Sequence, residues 1–149
     1  MPAFLTLFCF VVDIGNVWLA RIELTNAVEA AAQAAVKTWG RGSTPAQARL
    51  AAQDFANANT VIGEPVILDP NELASNTNGN KHRRGDILLG AISPAGSLDF
   101  NACIEPNHSP AANTDFAVIV KTSVPVKNLF GNIFGKTEFS LFLIKLKKF

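Results

Sequence analysis

Apolar residues fill the chain almost without relief from position 3 to position 12. After one acid, Asp13, the run continues through Ile14, Val17 and Leu19 to Ala20. No proline interrupts residues 3 to 37, and only Gly15 weakens a helical reading. Past Ala20 the pattern becomes two-faced. Glu23, Asn26, Glu29, Gln33 and Lys37 recur at spacings of three or four, and Leu24, Ala27, Val28, Ala31 and Ala35 form the opposite stripe. That period belongs to an amphipathic helix. One rod is therefore predicted over residues 3 to 37, on the order of 50 Å long at 1.5 Å per residue. Gly40 and Gly42 end it.

Ser43, Thr44 and Pro45 form a helix start, a hydroxyl cap followed by proline at the first helical position. The second helix is expected to run to about Asn59, with Ala48, Ala51, Phe55 and Ala58 on one face. Beyond Gly63 the pattern turns to strands. Residues 65 to 68 and 86 to 92 read as short β segments, and residues 71 to 85 between them, rich in Asn, Ser and Gly, as a loop. Residues 93 to 96 read as a turn and 101 to 114 as a second loop. The strongest strand spans 116 to 124, through Ala117, Val118, Ile119 and Val120. Pro125 to Gly135 is expected to form a short helical or turn segment carrying Leu129, Phe130, Ile133 and Phe134, and residues 139 to 146 a final strand. Helices first and strands afterwards, joined by hairpin-scale connections, imply an α+β domain with a mainly antiparallel sheet, the long helix laying its Ala/Leu face on that sheet.

The 149 residues suffice for one domain with its own core. The hydrophobic fraction of 48% is high for a soluble protein, and much of the excess lies in residues 3 to 20. That segment carries no basic n-region and no small-x-small cleavage site ahead of a turn, so a membrane anchor is the expectation rather than a signal peptide. Its length of about 18 to 20 residues meets the span of a bilayer core. The organisation expected is an anchor at 1–20 and an extracytoplasmic α+β domain at 21–149 continuous with the anchor helix. Asp13 either marks the level where the helix enters water or makes an intramembrane contact with a partner subunit's N-terminus or polar group. Trp18 suits the aromatic belt of such a boundary.

Net charge narrows the partners. At +1 the chain has no general attraction for nucleic acid. The basic run Lys81-His82-Arg83-Arg84 has no aromatic residues interleaved and reads as a solvated loop tip; the terminal Lys-Leu-Lys-Lys reads as a solubilising strand end. Two cysteines do not make a disulfide scaffold, and Cys9 in the apolar run and Cys103 in a polar loop are read as free. His82 and His108 sit in polar segments without Cys or carboxylate partners at ligand spacing, so no metal or cofactor is expected. The carboxylates are scattered singly and no nucleophile motif or phosphate loop is present. An enzyme would have to gather His108, Asp99 and Glu105 in one pocket. No catalysis and no small-molecule substrate are expected.

The segment VVDIGNVWLARIELTNAVEAAAQAA resembles the N-terminal segment of the TadE/TadG-like proteins of Tad (Flp) pilus assembly. The likeness rests on Val12-Asp13-Ile14-Gly15, Leu19-Ala20-Arg21, Glu23-Leu24 and Asn26-Ala27, with Glu29 where that family usually has Asp. Weaker patches follow at residues 56 to 68, at Gly85-Asp86-Ile87-Leu88-Leu89-Gly90, and at Val124-Pro125-Val126 with Leu129-Phe130 and Phe134-Gly135. The family usually places a basic stretch and a longer apolar helix ahead of the Asp. No prepilin-peptidase site of the Gly-x-x-x-x-Glu type can be read before the apolar run, so processing as a pseudopilin is not expected.

The resemblance implies a pilin-like, single-pass protein of the bacterial inner membrane with its domain on the periplasmic side. It would be a non-catalytic component of pilus assembly or a related secretion apparatus, bound to the membrane and to other pilus-assembly or membrane subunits. Asp13, Gly15, Arg21, Leu24, Asn26, Ala27 and Glu29 are the motif residues expected to pack against partners. An envelope-tethered binding module unrelated to pili is the alternative.

Overall fold

The computed structural model describes residues 2–73, 76–92, 100–102, 115–127, 130 and 138–148. Helix α1 (Pro2–Gly40) is a single helix of 39 residues, about 58 Å at 1.5 Å per residue, and it passes Asp13 and Gly15 without a break. Its two halves differ in what surrounds them. Phe4, Leu5, Leu7, Phe8, Phe10, Val11 and Ile14 are exposed, whereas from Ala20 onward a stripe of Leu24, Ala27, Val28, Ala31, Ala32, Ala35, Val36 and Trp39 is buried.

Helix α2 (Pro45–Asn57) starts as its residues require. The Thr44 hydroxyl accepts from the Gln47 N–H at 3.3 Å, and the Gln47 side chain accepts from the Thr44 N–H at 3.0 Å, a reciprocal capping box. Its buried face, however, is Ala48, Arg49, Ala52 and Ala56. The expected face is rotated: Phe55 is 52% exposed and Ala58 lies at the surface. Alanines line the facing stripe of α1, so close approach of the two helices favours alanine over phenylalanine at the contact.

The sheet has four antiparallel strands in the order β6-β5-β7-β8: β5 (Ile87–Ile92), β6 (Phe100–Ala102), β7 (Asp115–Lys127) and β8 (Glu138–Lys148). Two small hairpins precede it. In the first, β1 (Thr60–Val61) pairs with β2 (Glu64–Pro65). In the second, β3 (Glu72–Leu73) pairs with β4 (Asn76–Asn80) across a register shift. The helices cover one face of the sheet, and Leu24, Val28, Ile87, Leu89, Val118 and Val120 form its core, closed by an edge-to-face contact of Trp39 with Phe116 at 4.8 Å. The fold is thus α+β with a long N-terminal apolar helix, a second helix and antiparallel sheets.

Several segments depart from the sequence reading. Residues 66 to 68 alternate buried, exposed, buried as a strand would, yet form no ladder; only Pro65 is paired. Residues 72 to 80, expected to be loop, hold the β3–β4 hairpin, and residues 100 to 102 form β6. Pro125 does not end a strand: it lies inside β7 opposite Ser140. The Lys121 N–H donates to the Asp86 carbonyl at 2.8 Å. By the alternation of antiparallel ladders, the backbone of odd-numbered β7 residues therefore faces β5. Pairing with β5 reaches only Val120, so the donor that Pro125 lacks would have pointed at no strand. The expected turn at 93–96, the loop at 103–114, Leu129, and residues 131 to 137 with Ile133 and Phe134 lie outside the described residues.

The same alternation explains two buried asparagines. The backbone of Ile87 and Leu89 faces away from β7, and β6 pairs only with residues 90 to 92. Asn80 completes the edge: its amide donates to the Leu89 carbonyl at 2.8 Å and its oxygen accepts the Leu89 N–H at 3.0 Å. Asn71 donates to the Ile87 carbonyl and to the His82 carbonyl, both at 2.9 Å, and accepts the His82 N–H at 2.8 Å. Its carboxamide lies against Gly85, where a Cβ would overlap it. The buried Arg49 reaches the Gly79 carbonyl at 3.0 Å and the Asn80 oxygen at 3.3 Å, tying α2 to this corner.

Candidate functional site

The region with functional content is α1 between Asp13 and Glu29, where the apolar rod meets the domain. β7 and β8 form a ribbon that runs past the end of β5 and descends along α1. At its end the Phe130 N–H donates to both oxygens of Asp13 at 3.3 Å, and the Asn16 side-chain amide donates to the Lys127 carbonyl at 3.4 Å. Asp13 therefore serves its own chain, tying the end of the hairpin to the rod. Sequence reasoning singled out Asp13 and missed Asn16 as its companion one turn along.

Leu24 and Ala27 are fully buried among core residues of the same chain, so their packing is internal. Glu29 faces β8. Lys145 donates to its carboxylate at 3.1 Å and Lys147 stands at 3.7 Å, and hydrogen bonding and charge from Lys145, with charge from Lys147, hold its pKa below the usual carboxylate range. Lys148 pairs with Asp115 at 3.5 Å. The lysines of the C-terminal run thus fasten β8 to its neighbours, a role the sequence reading did not give them. Their spacing was the available signal: residues 141, 143, 145 and 147 share one face of a strand, and the first two are leucines packed against the core. Glu23 also works internally, accepting the Ile62 N–H at 2.7 Å and pinning the β1–β2 turn to α1.

Gly15, Arg21 and Asn26 remain on the outside. Trp18, Arg21, Ile22, Thr25 and Asn26 line a shallow surface groove of about 190 Å³. Trp18 is 67% exposed and Ile22 is exposed beside it. Gly15, one turn below Trp18, has no atom within 4 Å of where a Cβ would stand. Among the described residues nothing in the packing requires glycine there. The motif thus divides into residues that hold the chain together (Asp13, Leu24, Ala27, Glu29) and residues that face outward (Gly15, Arg21, Asn26).

Among the described residues no group of three or more His, Cys, Asp or Glu could hold a metal ion. Lys81, His82, Arg83 and Arg84 are exposed in the connection before β5. Cys9 is a free thiol on the apolar half of α1. Cys103, His108, Asp99 and Glu105 lie outside the described residues.

By length and composition α1 is able to cross a membrane: an 18-residue window has a mean hydropathy of 1.6 and is 6% buried. Residues 1–54 match the model of the family described as Flp pilus-assembly TadE/G-like (Tad). The match covers α1 and most of α2, a little over a third of the 149 residues, and bears out the resemblance carried by the motif from Val12 to Ala27. It supports a role connected with pilus assembly, a structural and assembly function. No curated protein and no solved structure matches the chain.

Proposed function

We propose that this chain is a non-catalytic, single-pass component of a Tad-type pilus-assembly or related secretion apparatus. The first half of α1 lies in the bacterial inner membrane and the α+β domain stands on its periplasmic side. The observation that carries the reading is the continuity of α1: one helix is mostly apolar and largely exposed below Ala20 and buried against a sheet above it. A rigid rod of this kind transmits position from bilayer to domain, which suits a part that sets the geometry of other subunits.

The outward motif residues supply the partner surface. A glycine inside an exposed helix costs about 1 kcal/mol relative to alanine. Gly15 pays no internal debt for that, whereas a second helix approaching along Gly15, Trp18, Ile22 and Asn26 would use the notch it leaves. Other pilus-assembly or membrane subunits are the partners this face suits. Membrane fractionation with protease protection tests the reading. The product is expected in the inner-membrane pellet, its domain cleaved only when protease reaches the periplasm. A fully soluble cytoplasmic product overturns it.

A further inference from the structure

From Gly15 to Asn26, α1 sorts its residues by heptad position. Gly15 and Ile22 stand at a, Trp18 and Thr25 at d, Leu19 and Asn26 at e, and Arg21 at g. All of these turn outward: Trp18, Leu19 and Ile22 are 67%, 50% and 43% exposed, Gly15, Arg21 and Asn26 are exposed with them, and Thr25 lines the groove. The b, c and f positions all turn to the chain's own domain. Asn16 bonds the Lys127 carbonyl, Glu23 takes the Ile62 N–H, Val17 packs against the core, and Ala20 and Leu24 are buried in it. That division is the one made by a strand of a parallel coiled coil. The groove has the matching shape. A knob at a enters a hole bounded by four residues of the facing helix at i, i+3, i+4 and i+7. Trp18, Arg21, Ile22 and Thr25 stand at those intervals around the groove of about 190 Å³.

Resting on the reading that α1 is a membrane anchor, which holds neighbouring rods parallel, we propose that the occupant of this face is α1 of a second copy, related by a twofold axis along the rods. The face is met by its own image at each level. Ile22 of each copy enters the groove of the other. Trp18 falls beside Gly15 and Leu19 of the second copy, where a side chain at position 15 would obstruct it. The glycine thereby gains a use that its own domain does not give it. Arg21 at g reaches Asn26 at e of the second copy, five residues on, and its guanidinium donates to the carboxamide oxygen. The Thr25 hydroxyl already donates to the Arg21 carbonyl of its own helix at 2.7 Å, so the seam covers it without stranding a polar group. The seam closes above Asn26, because Glu29 at the next a position is held by Lys145 and Lys147. Below Gly15 the same phase runs through Val11, Phe8 and Phe4, all exposed. From Ile14 to Asn26 the two faces cover on the order of 1,000 Å², the low end for a specific pair. The pair therefore draws on the shared membrane, which keeps both rods parallel and close.

Disulfide trapping in isolated membranes tests this on the full chain. In a background of Cys9→Ser with Cys103→Ser, a cysteine is placed singly at Ile22→Cys, in the seam, or at Ile67→Cys, 80% exposed on the domain. Under mild oxidation Ile22→Cys is expected to give an adduct of two copies at least about fivefold above that of Ile67→Cys, and Gly15→Leu in the same chain to reduce it by a similar factor. Alkaline carbonate extraction of the same membranes runs alongside. If the chain stays in the pellet and Ile22→Cys gives no more adduct than Ile67→Cys, or joins a different protein, the pair is refuted and the anchor stands. An adduct that Gly15→Leu leaves unchanged also refutes the seam. If the chain moves to the supernatant, the anchor reading has failed, and the pair with it.

Discussion

Phe8→Arg should detach the protein from the membrane without unfolding it. Residues 3 to 20 contain ten Leu, Ile, Phe and Val residues. At about −0.3 to −0.6 kcal/mol each they favour insertion by roughly 3 to 6 kcal/mol, from which Asp13 subtracts up to about 2.5 to 3.5 kcal/mol at midspan. The margin that remains runs from about zero to about 3.5 kcal/mol. Arginine at position 8 removes one favourable contribution and adds about 3 kcal/mol against insertion, enough to reverse the sign. Phe8 is 65% exposed and lies twelve residues before the first buried position of α1, so the domain should not register the change. Alkaline carbonate extraction of isolated membranes provides the assay. The unaltered chain and a Phe8→Leu control are expected to stay in the pellet, and Phe8→Arg to move to the supernatant with the same urea midpoint for the domain. Retention of Phe8→Arg in the pellet refutes the reasoning, because a helix held at the membrane only by its domain would ignore a charge at position 8.

Other substitutions probe the remaining links. Gly15→Ala should leave the isolated protein as stable or up to about 1 kcal/mol more stable, while crosslinking to neighbouring subunits falls; unchanged crosslinking would remove Gly15 from the partner face. Asn80→Leu keeps the bulk but bares the Leu89 N–H and carbonyl, at about 1 to 3 kcal/mol for each group; a loss near 3 kcal/mol is expected in urea unfolding, and one under about 1 kcal/mol would mean the edge is satisfied otherwise. Ile62 holds φ at 51° in a two-residue turn with Gly63 at 81°, so Ile62→Asn should stabilise by about 1 kcal/mol, since its backbone N–H still reaches Glu23. Thermal melting checks the sign. Glu29, its pKa lowered mainly by the hydrogen bond from Lys145, contributes stability that is fully present above its ordinary value near 4.5 and is lost as pH falls through the lower folded value. The stability difference between the native chain and Glu29→Gln should therefore shrink on acidification from about pH 7 to about pH 3, and a constant difference would show that the Lys145 contact does not persist in solution.

What the sequence disclosed follows from which forces leave a periodic mark. The α1 stripe was readable because Leu24, Ala27, Val28, Ala31 and Ala35 repeat at helical spacing, and all five are buried. The cap at Thr44 was readable because capping is local. The face of α2 was not. Alanines at 48, 52 and 56 and residues 48, 51, 55 and 58 both fit a helical stripe, and hydrophobicity favours the one with Phe55; the choice is made by how closely α1 approaches, which one helix alone does not encode. Asn71 and Asn80 left no mark either, since their burial depends on backbone groups exposed where β6 stops short, and Arg49 is buried through its bonds to Gly79 and Asn80. A stretch such as Asn76 to Asn80 therefore reads as loop although it forms a strand. The candidate site was half legible: the motif located the right turns of α1, but only the third dimension separates Asp13, bonded to the hairpin, from Gly15, facing outward.

The free edge of the sheet limits how copies of the protein can meet. Among the described residues β8 pairs only with β7, so an eleven-residue edge with exposed Phe142 and Ile144 offers unpaired backbone. Such edges invite strand addition. A twofold pairing of β8 with β8 of a second copy would set the two strands antiparallel. But α1 and β8 run the same way: Asn16 lies by Lys127, which pairs with Glu138 at the start of β8, and Glu29 lies by Lys145 and Lys147 near its end. Reversing β8 therefore reverses α1, and one of the two apolar helices would point away from the bilayer that holds the other. Two anchored copies cannot join along this edge by a twofold axis. For copies anchored as proposed, an arrangement about an axis along the membrane normal avoids this conflict. Such an axis keeps every α1 pointing the same way and leaves the outward face of Gly15, Trp18, Ile22 and Asn26 as a surface along which parallel rods can pack.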